Sequence, residues 1–328
     1  MNDLKSDTVD MDKYIKIVGW FLCLFLFLQE GKGQQIVFTP QWTAQSQFAG
    51  YYVALEKGFY KEVGIDVEIK HPSASYSAVN HLLEGSCHIT TMNLLQAMIA
   101  IDQGLSLVNV LQTSQHNSLV IVPRRKSIQT FEDLRNKRVG VWKIRFGELG
   151  FIADEERNLN IEWIPFIHNI NLFLSGAIDA TMATSFNEYL QIRAAGFDSK
   201  NIFYLSEEGY DVPEDGLYVT VDYYKKNKEK VEAFVEASKR GWQWAAKNQE
   251  ETLDIVMKFV QKDKIATNRT IQRWMLKEIL RLQCDQEGRE PSFQLHPEKV
   301  KELSDLLLKN RRIKKEVTLE QLKGGIDR

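Results

Sequence analysis

The chain has 328 residues, 44% of them hydrophobic and 26% charged, with 42 basic against 44 acidic side chains and a formal charge of −2. That length allows about two domains or lobes, each large enough for its own core. The near balance of charge leaves no global field to hold a polyanion, which argues against nucleic acid as a partner, and three cysteines are too few for a disulfide framework.

Residues 17–28 (IVGWFLCLFLFL) form an uncharged run behind Lys13 and Lys16. A spanning helix needs roughly 20 apolar residues and a signal-peptide core about 7–15, so residues 1–33 read as an export signal. Gly31 and Gly33 offer a cleavage site before Gln34, and a start at Met11 would leave a short basic leader. An uncleaved anchor is the alternative. A lipid on Cys23 is disfavoured, because Trp20-Phe21-Leu22 lacks the small residues that precede a lipidated cysteine. The expected location is periplasmic, where Cys87 and Cys284 can pair only if the fold brings them together.

After residue 34, short apolar runs alternate with helical patterns. Strands are expected over 35–39, 66–70, 88–92 and 107–111, and helices over 47–57, 76–84 and 95–103, each helix followed by a glycine. A similar rhythm restarts after Pro123. Thr130 and Asp133 make a capping box for a short helix, and strands follow over 138–142, 161–166, 179–184 and 202–205. Helices are expected near 148–156, before Gly176 and over 187–195. Beyond Tyr224 the pattern is helical only, over 228–247, 251–260, 270–282 and 297–307, with apolar spacing such as Val231, Phe234 and Val235.

Strand-helix alternation of this kind predicts an α/β protein built on parallel or mixed sheets. The expected organisation is a first lobe over 34–123, a second over 124–216, and a return to the first with a helical tail over 217–328. The two crossings, near 122–124 and 215–220, make a hinge with a ligand cleft between the lobes. Ligands bind at the carboxyl ends of strands in such sheets, which selects the loops after Thr39, Met92, Leu111, Trp142 and Thr184.

The run from Phe48 through Ala49-Gly50-Tyr51-Tyr52, Gly58-Phe59-Tyr60 and Gly64-Ile65-Asp66-Val67 resembles the signature of one family. It comprises ABC-transporter solute-binding proteins for thiamine pyrimidine precursors, sulfonates and nitrate, with thiamine pyrimidine synthases as its enzymatic branch. Further agreement comes from 134–142 (LRNKRVGVW), 176–180 (GAIDA) and Asp215-Gly216-Leu217-Tyr218. The resemblance covers roughly 35–280 and implies the two-lobed periplasmic-binding-protein fold of the second type. It also implies a small-molecule pyrimidine ligand and an ABC permease as partners. Trp42 and the Asn187-Glu188 pair favour the pyrimidine subgroup.

The enzymatic branch uses a lysine that binds pyridoxal phosphate, a histidine four residues later and a cysteine cluster for iron. Met92, Gln96 and the stretch 210–214 (YDVPE) stand at those positions. Methionine cannot form a Schiff base and no thiolate is left for iron, so the resemblance implies a binder without a cofactor.

Seven residues are candidate ligand contacts. Trp42 and Trp142, just past or at strand ends, either stack on a flat ring or fill a core. Asn187 and Glu188 either read the donor edge of an aminopyrimidine or serve a helix N-terminus. Gln45, Asn93 and His116 lie in loops on the cleft side. No His/Cys/Asp/Glu spacing reads as a metal site, and Cys87 and His88 read as core. The basic stretches 225–230 and 309–315 read as solvated faces. The chain is expected to act as a monomer. A synthase, a sulfonate or nitrate binder, and a sensory receptor remain as rivals; an anion site would need converging donors, for which only Lys143 and Arg145 offer themselves.

Overall fold

The computed structural model describes residues 35–72, 77–142, 147–166, 170–197, 201–284 and 290–325. The run 17–28, Cys23, Lys143 and Arg145 lie outside them. The strands are β1 (Ile36–Thr39), β2 (Val67–Ile69), β3 (Ile89–Asn93), β4 (Leu107–Gln112), β5 (Leu119–Pro123), β6 (Arg138–Trp142), β7 (Glu162–Phe166), β8 (Ala180–Thr184), β9 (Phe203–Tyr204) and β10 (Asp215–Thr220). The helices are α1 (Ala49–Glu56), α2 (Phe59–Glu62), α3 (Ala78–Leu83), α4 (Leu94–Asp102), α5 (Glu148–Arg157), α6 (Asn171–Ser175), α7 (Glu188–Ala194), α8 (Val221–Lys247), α9 (Gln249–Lys262), α10 (Arg269–Gln283), α11 (Pro297–Lys309) and α12 (Leu319–Leu322).

Two five-stranded sheets result, ordered β2-β1-β3-β10-β4 and β7-β6-β8-β5-β9. In each, three strands run parallel and the fourth is antiparallel to its neighbours: β10 between β3 and β4, and β5 between β8 and β9. The expected α/β class with mixed sheets is therefore what the chain forms. Gly58, at φ +79, ends α1 and lets α2 start at once in a new direction, and Gly176, at φ +81, ends α6. The Thr130 and Asp133 capping box is made as expected.

The crossings differ from expectation. β5 already belongs to the second sheet, pairing with β8 through Leu119↔Thr184 to Pro123↔Ala180. The entry is therefore over 113–118 rather than at 122–124. The apolar run of β5 reads equally well as the end of either sheet, and only its partner decides. The return is over 205–214, since β10 starts at Asp215 inside the first sheet. The two crossings are bonded to each other. Asn117 Nδ2 donates to the Tyr210 carbonyl (2.5 Å), and Ser118 Oγ to Glu214 Oε1 (3.1 Å).

The tail also differs in part. Helices α8 to α10 cover the first sheet, where Val231, Phe234, Trp242, Leu253 and Leu276 share a core with Phe38 and Tyr51. α8 begins earlier than expected, at Val221, and bends at Asn227 (φ −134, ψ 29). α11, however, puts Val300, Leu303 and Leu307 into a core shared with Met98 of α4 and with Leu149 and Ile152 of α5. Its apolar stripe faces both sheets' helices, so it does not pack on the first lobe alone. The basic stretch 309–315 is accordingly tied down rather than merely solvated. Arg312 pairs with Glu148 (2.8 Å) and Glu155 (2.7 Å) of α5, Lys309 with Glu156 (2.7 Å), and the Lys314 N–H donates to Asp102 of α4 (2.9 Å). Cys87 and Cys284 are not joined in a disulfide.

Glycines let α1 and α8 approach closely. A Cβ on Gly241 of α8 would stand 2.1 Å from the Gly50 carbonyl oxygen and 2.9 Å from Ala54 Cβ of α1. Backbone cannot yield that distance cheaply. Gly241→Ala gains about 1 kcal/mol of helix propensity but forces the helices apart, so a net loss of about 1–3 kcal/mol is expected in a urea unfolding experiment.

Candidate functional site

The carboxyl ends of β1, β3, β6 and β8 converge on one cavity of about 500 Å³. The turn after β1 brings Gln41, Trp42, Gln45 and Gln47, and β3 brings Asn93; from the other sheet come Trp142, Thr184, Asn187 and Glu188. Six of the seven sequence-selected residues thus line the cavity. His116 does not. Its Nδ1 lies 2.6 Å from Asp211 Oδ2, which joins the two crossings beside the cleft. A loop histidine among polar neighbours gave no hint of a carboxylate so distant in sequence.

Trp42 and Trp142 meet edge to face across the cavity, with ring centroids 5.6 Å apart and planes at 78°. Trp42 is fixed through its carbonyl, which accepts from Nδ1 of His71 (2.5 Å). A carbonyl only accepts, so the His71 proton sits on Nδ1, and Nε2 accepts from the Tyr52 hydroxyl (2.7 Å). Burial holds the His71 pKa below its ordinary value, which keeps this tautomer neutral. Trp142 in turn packs edge-on against Phe166, at 5.8 Å.

Glu188 bends back on its own turn. Its Oε2 accepts from the Thr184 N–H (2.9 Å) and hydroxyl (2.6 Å), and its Oε1 from Asn187 Nδ2 (3.1 Å). Asn187 makes no capping bond to α7; its Oδ1 accepts from Gln191 instead (2.9 Å). Asn93 caps α4, accepting from the Leu95 N–H (2.9 Å). Met92 and Gln96, at the positions of the synthase lysine and histidine, also line the cavity.

A buried polar wall was not singled out from sequence. Asp215 opens β10 opposite Asn93 and accepts from Gln41 Nε2 at Oδ1 (2.6 Å) and from Gln47 Nε2 at Oδ2 (2.6 Å). Gln45 Nε2 donates to Gln47 Oε1 (2.6 Å), which orients that amide. Glu214, 7% exposed, lines the cavity beside Asp215. Burial and the neighbouring Asp215 charge push the Glu214 carboxyl up to about 8, and burial pushes Asp215 up to about 6 against the two glutamine amides. An adjacent acidic pair just before an apolar run was the available signal. Around the cavity stand four carboxylates (Glu148, Glu188, Glu214 and Asp215) and, among the described residues, no lysine, arginine or histidine.

A family model described as NMT1/THI5 like matches residues 45–252, most of the chain. The chain belongs to the NMT1/THI5-like family. The span starts at Gln45 on the wall of the cleft and ends inside α9. A riboflavin-binding protein of Chloroflexus aurantiacus is 24% identical to this NMT1/THI5-like chain, over 75% of it and 72% of the relative. A formylaminopyrimidine-binding protein of Halalkalibacterium halodurans is 23% identical over 66% of the chain and 68% of the relative. Among solved structures, the periplasmic aliphatic sulphonate-binding protein of Escherichia coli superposes with a TM-score of 0.64 at 15% identity, covering 88% of this chain and 91% of that one. The fold is therefore that of the periplasmic binding proteins, as the family resemblance implied.

The raised Glu214 pKa has a consequence for stability. The native state holds its proton to about pH 8, whereas the unfolded chain releases it near the ordinary carboxylate value. Between those limits the native state binds more protons, so this contribution is full in acid and is lost as pH rises toward 8. Glu214→Gln should therefore be stabilised relative to the parent by about 1–3 kcal/mol at pH 8.5 and by little at pH 4.5. Urea unfolding at the two pH values checks this.

Proposed function

We propose that this chain is the exported solute receptor of an ABC importer and holds a planar amino-substituted pyrimidine, a thiamine precursor of the formylaminopyrimidine type, in the cleft. The observation that carries the reading is the Trp42 and Trp142 pair, one ring from each sheet, facing each other across the cavity. A flat ring that displaces their edge-to-face contact gains two aromatic faces. Glu188 and Asn187 lie on the same cavity and would take its amino edge. A relative named for binding formylaminopyrimidine supports it.

The ligand is held and not converted. Met92 lies on the cavity where a Schiff-base lysine would be needed, and methionine has no nucleophilic nitrogen. Sulfonate or nitrate is disfavoured, because no lysine, arginine or histidine stands among the described residues of the cavity wall to receive an anion. Export is supported by the run 17–28 and by the periplasmic relatives of the fold. No described helix is long and apolar enough to cross a membrane. The receptor would work as a monomer and deliver its ligand to a membrane permease.

One observation favours a second reading. A cavity of about 500 Å³ exceeds what a single pyrimidine ring fills and suits a larger fused ring system such as a flavin. Calorimetry with an aminopyrimidine and with riboflavin separates the two. Micromolar affinity requires only about −8 kcal/mol. Trp42→Ala and Glu188→Ala should each weaken binding of the preferred ring at least about tenfold; unchanged affinity in both variants would remove the site assignment.

A further inference from the structure

The acidic wall has a chemistry that the ring alone does not use. Glu214 and Asp215 are consecutive at the start of β10 and are held rigidly from both sides. The Leu94 N–H donates to the Glu214 carbonyl (3.1 Å), and the Thr113 and Ser114 N–H groups donate to the Asp215 carbonyl (2.9 and 3.0 Å). Their carboxyl groups take neutral donors only: Gln41 and Gln47 on Asp215, and Ser118 on Glu214. They form part of a cavity that the tryptophan pair and four strand ends define independently.

Among the described residues, no charge on the surrounding elements cancels them. From the crossings come Asp211 and His116, which are engaged with each other at 2.6 Å. Lys299 of α11 is shared between the Asp211 carbonyl (3.3 Å) and Glu302 (3.5 Å), and Arg281 of α10 is taken by Glu278 (2.8 Å). α1 and β10 present the buried hydroxyls of Tyr51 and Tyr218. Across the cavity stand Glu188, bonded to Thr184, and Glu148, which Arg312 already neutralises at 2.8 Å. Two adjacent carboxyls in a largely buried wall either keep a proton or need a cation from outside.

We propose that Glu214 and Asp215 form the subsite for a cationic nitrogen carried by the ligand, so that the preferred heterocycle bears a protonated amine or a quaternised ring nitrogen beside its flat ring. This rests on the ring reading above for the aromatic part alone. The cation takes the place of the proton that the pair otherwise retains, so binding releases a proton, and affinity rises with pH from about 6 to 8. A neutral ligand of the same shape leaves the pair protonated and gains nothing from it.

The test compares two probes with one ring. 4-Amino-5-aminomethyl-2-methylpyrimidine carries an ammonium arm at neutral pH; its N-formyl derivative carries a neutral arm. At pH 7.5 the amine should bind at least about tenfold more tightly by calorimetry, with proton release seen as a buffer-dependent enthalpy. In Asp215→Asn and Glu214→Gln that ratio should fall below about threefold. Equal or tighter binding of the formyl compound, or a ratio unchanged in both variants, overturns the cation subsite and leaves the ring reading standing. Should neither pyrimidine bind, the ring reading fails, and benzylammonium against benzyl alcohol in a thermal-shift titration still decides the subsite. Stabilisation by benzylammonium alone, lost in Asp215→Asn, supports it; no difference between the two overturns it.

Discussion

Two antiparallel strands organise everything else. β5 and β10 sit in corresponding places in the two sheets, each inserted beside the third parallel strand, and each is the strand that a crossing delivers. Placing them there brings the crossings side by side and bonds them through Asn117, Ser118 and His116. It also sets the first residues of β10 level with the end of β3, where Asp215 faces Asn93. A cleft at the carboxyl ends of parallel strands is expected of this class of sheet. A pair of carboxyls in its wall is not, and it follows from the insertion of one strand against the direction of its neighbours.

The two kinds of wall do different work. The tryptophans supply apolar area and ring faces that tolerate many flat molecules, and an edge-to-face pair contributes only about 0.5–1.5 kcal/mol beyond area burial. Charge is the sharper discriminator. At a few ångströms, in a site partly withdrawn from water, an unmatched charge costs several kcal/mol. Glu148 and Glu188 are matched by Arg312 and by local donors, respectively. Under the cation-subsite proposal, selectivity falls to Glu214 and Asp215, whose carboxyl groups take neutral donors among the described residues.

Much of the architecture was legible in sequence, and for local reasons. The strands ending at Thr39, Trp142 and Thr184 were readable because apolar runs stop at polar residues there, and the capping box at Thr130 and Asp133 is a local pattern. What was not legible depends on partners far along the chain. β5 could be assigned to a sheet only by its pairing with β8, and His116 could be placed only by Asp211, 95 residues away. The last long helix of the tail, α11, was misjudged for the same reason. An amphipathic helix reveals that one face is buried but not against what, and α11 found helices of both sheets.

The lining of the cavity was legible in outline and incomplete in chemistry. Trp42, Trp142, Asn187 and Glu188 stood out because aromatic and polar residues at strand ends are conspicuous, and the family resemblance weighted Trp42 and the Asn187-Glu188 pair. The glutamines did not, since a lone Gln41 or Gln47 carries no chemical signal until Asp215 is found between them. Glutamine is the residue type such a place needs. Its amide donates to a carboxyl without bringing a charge, so it orients Asp215 while leaving the electrostatic demand of the wall unmet. A lysine or arginine at either position would have satisfied that demand within the chain and left nothing for a ligand to supply.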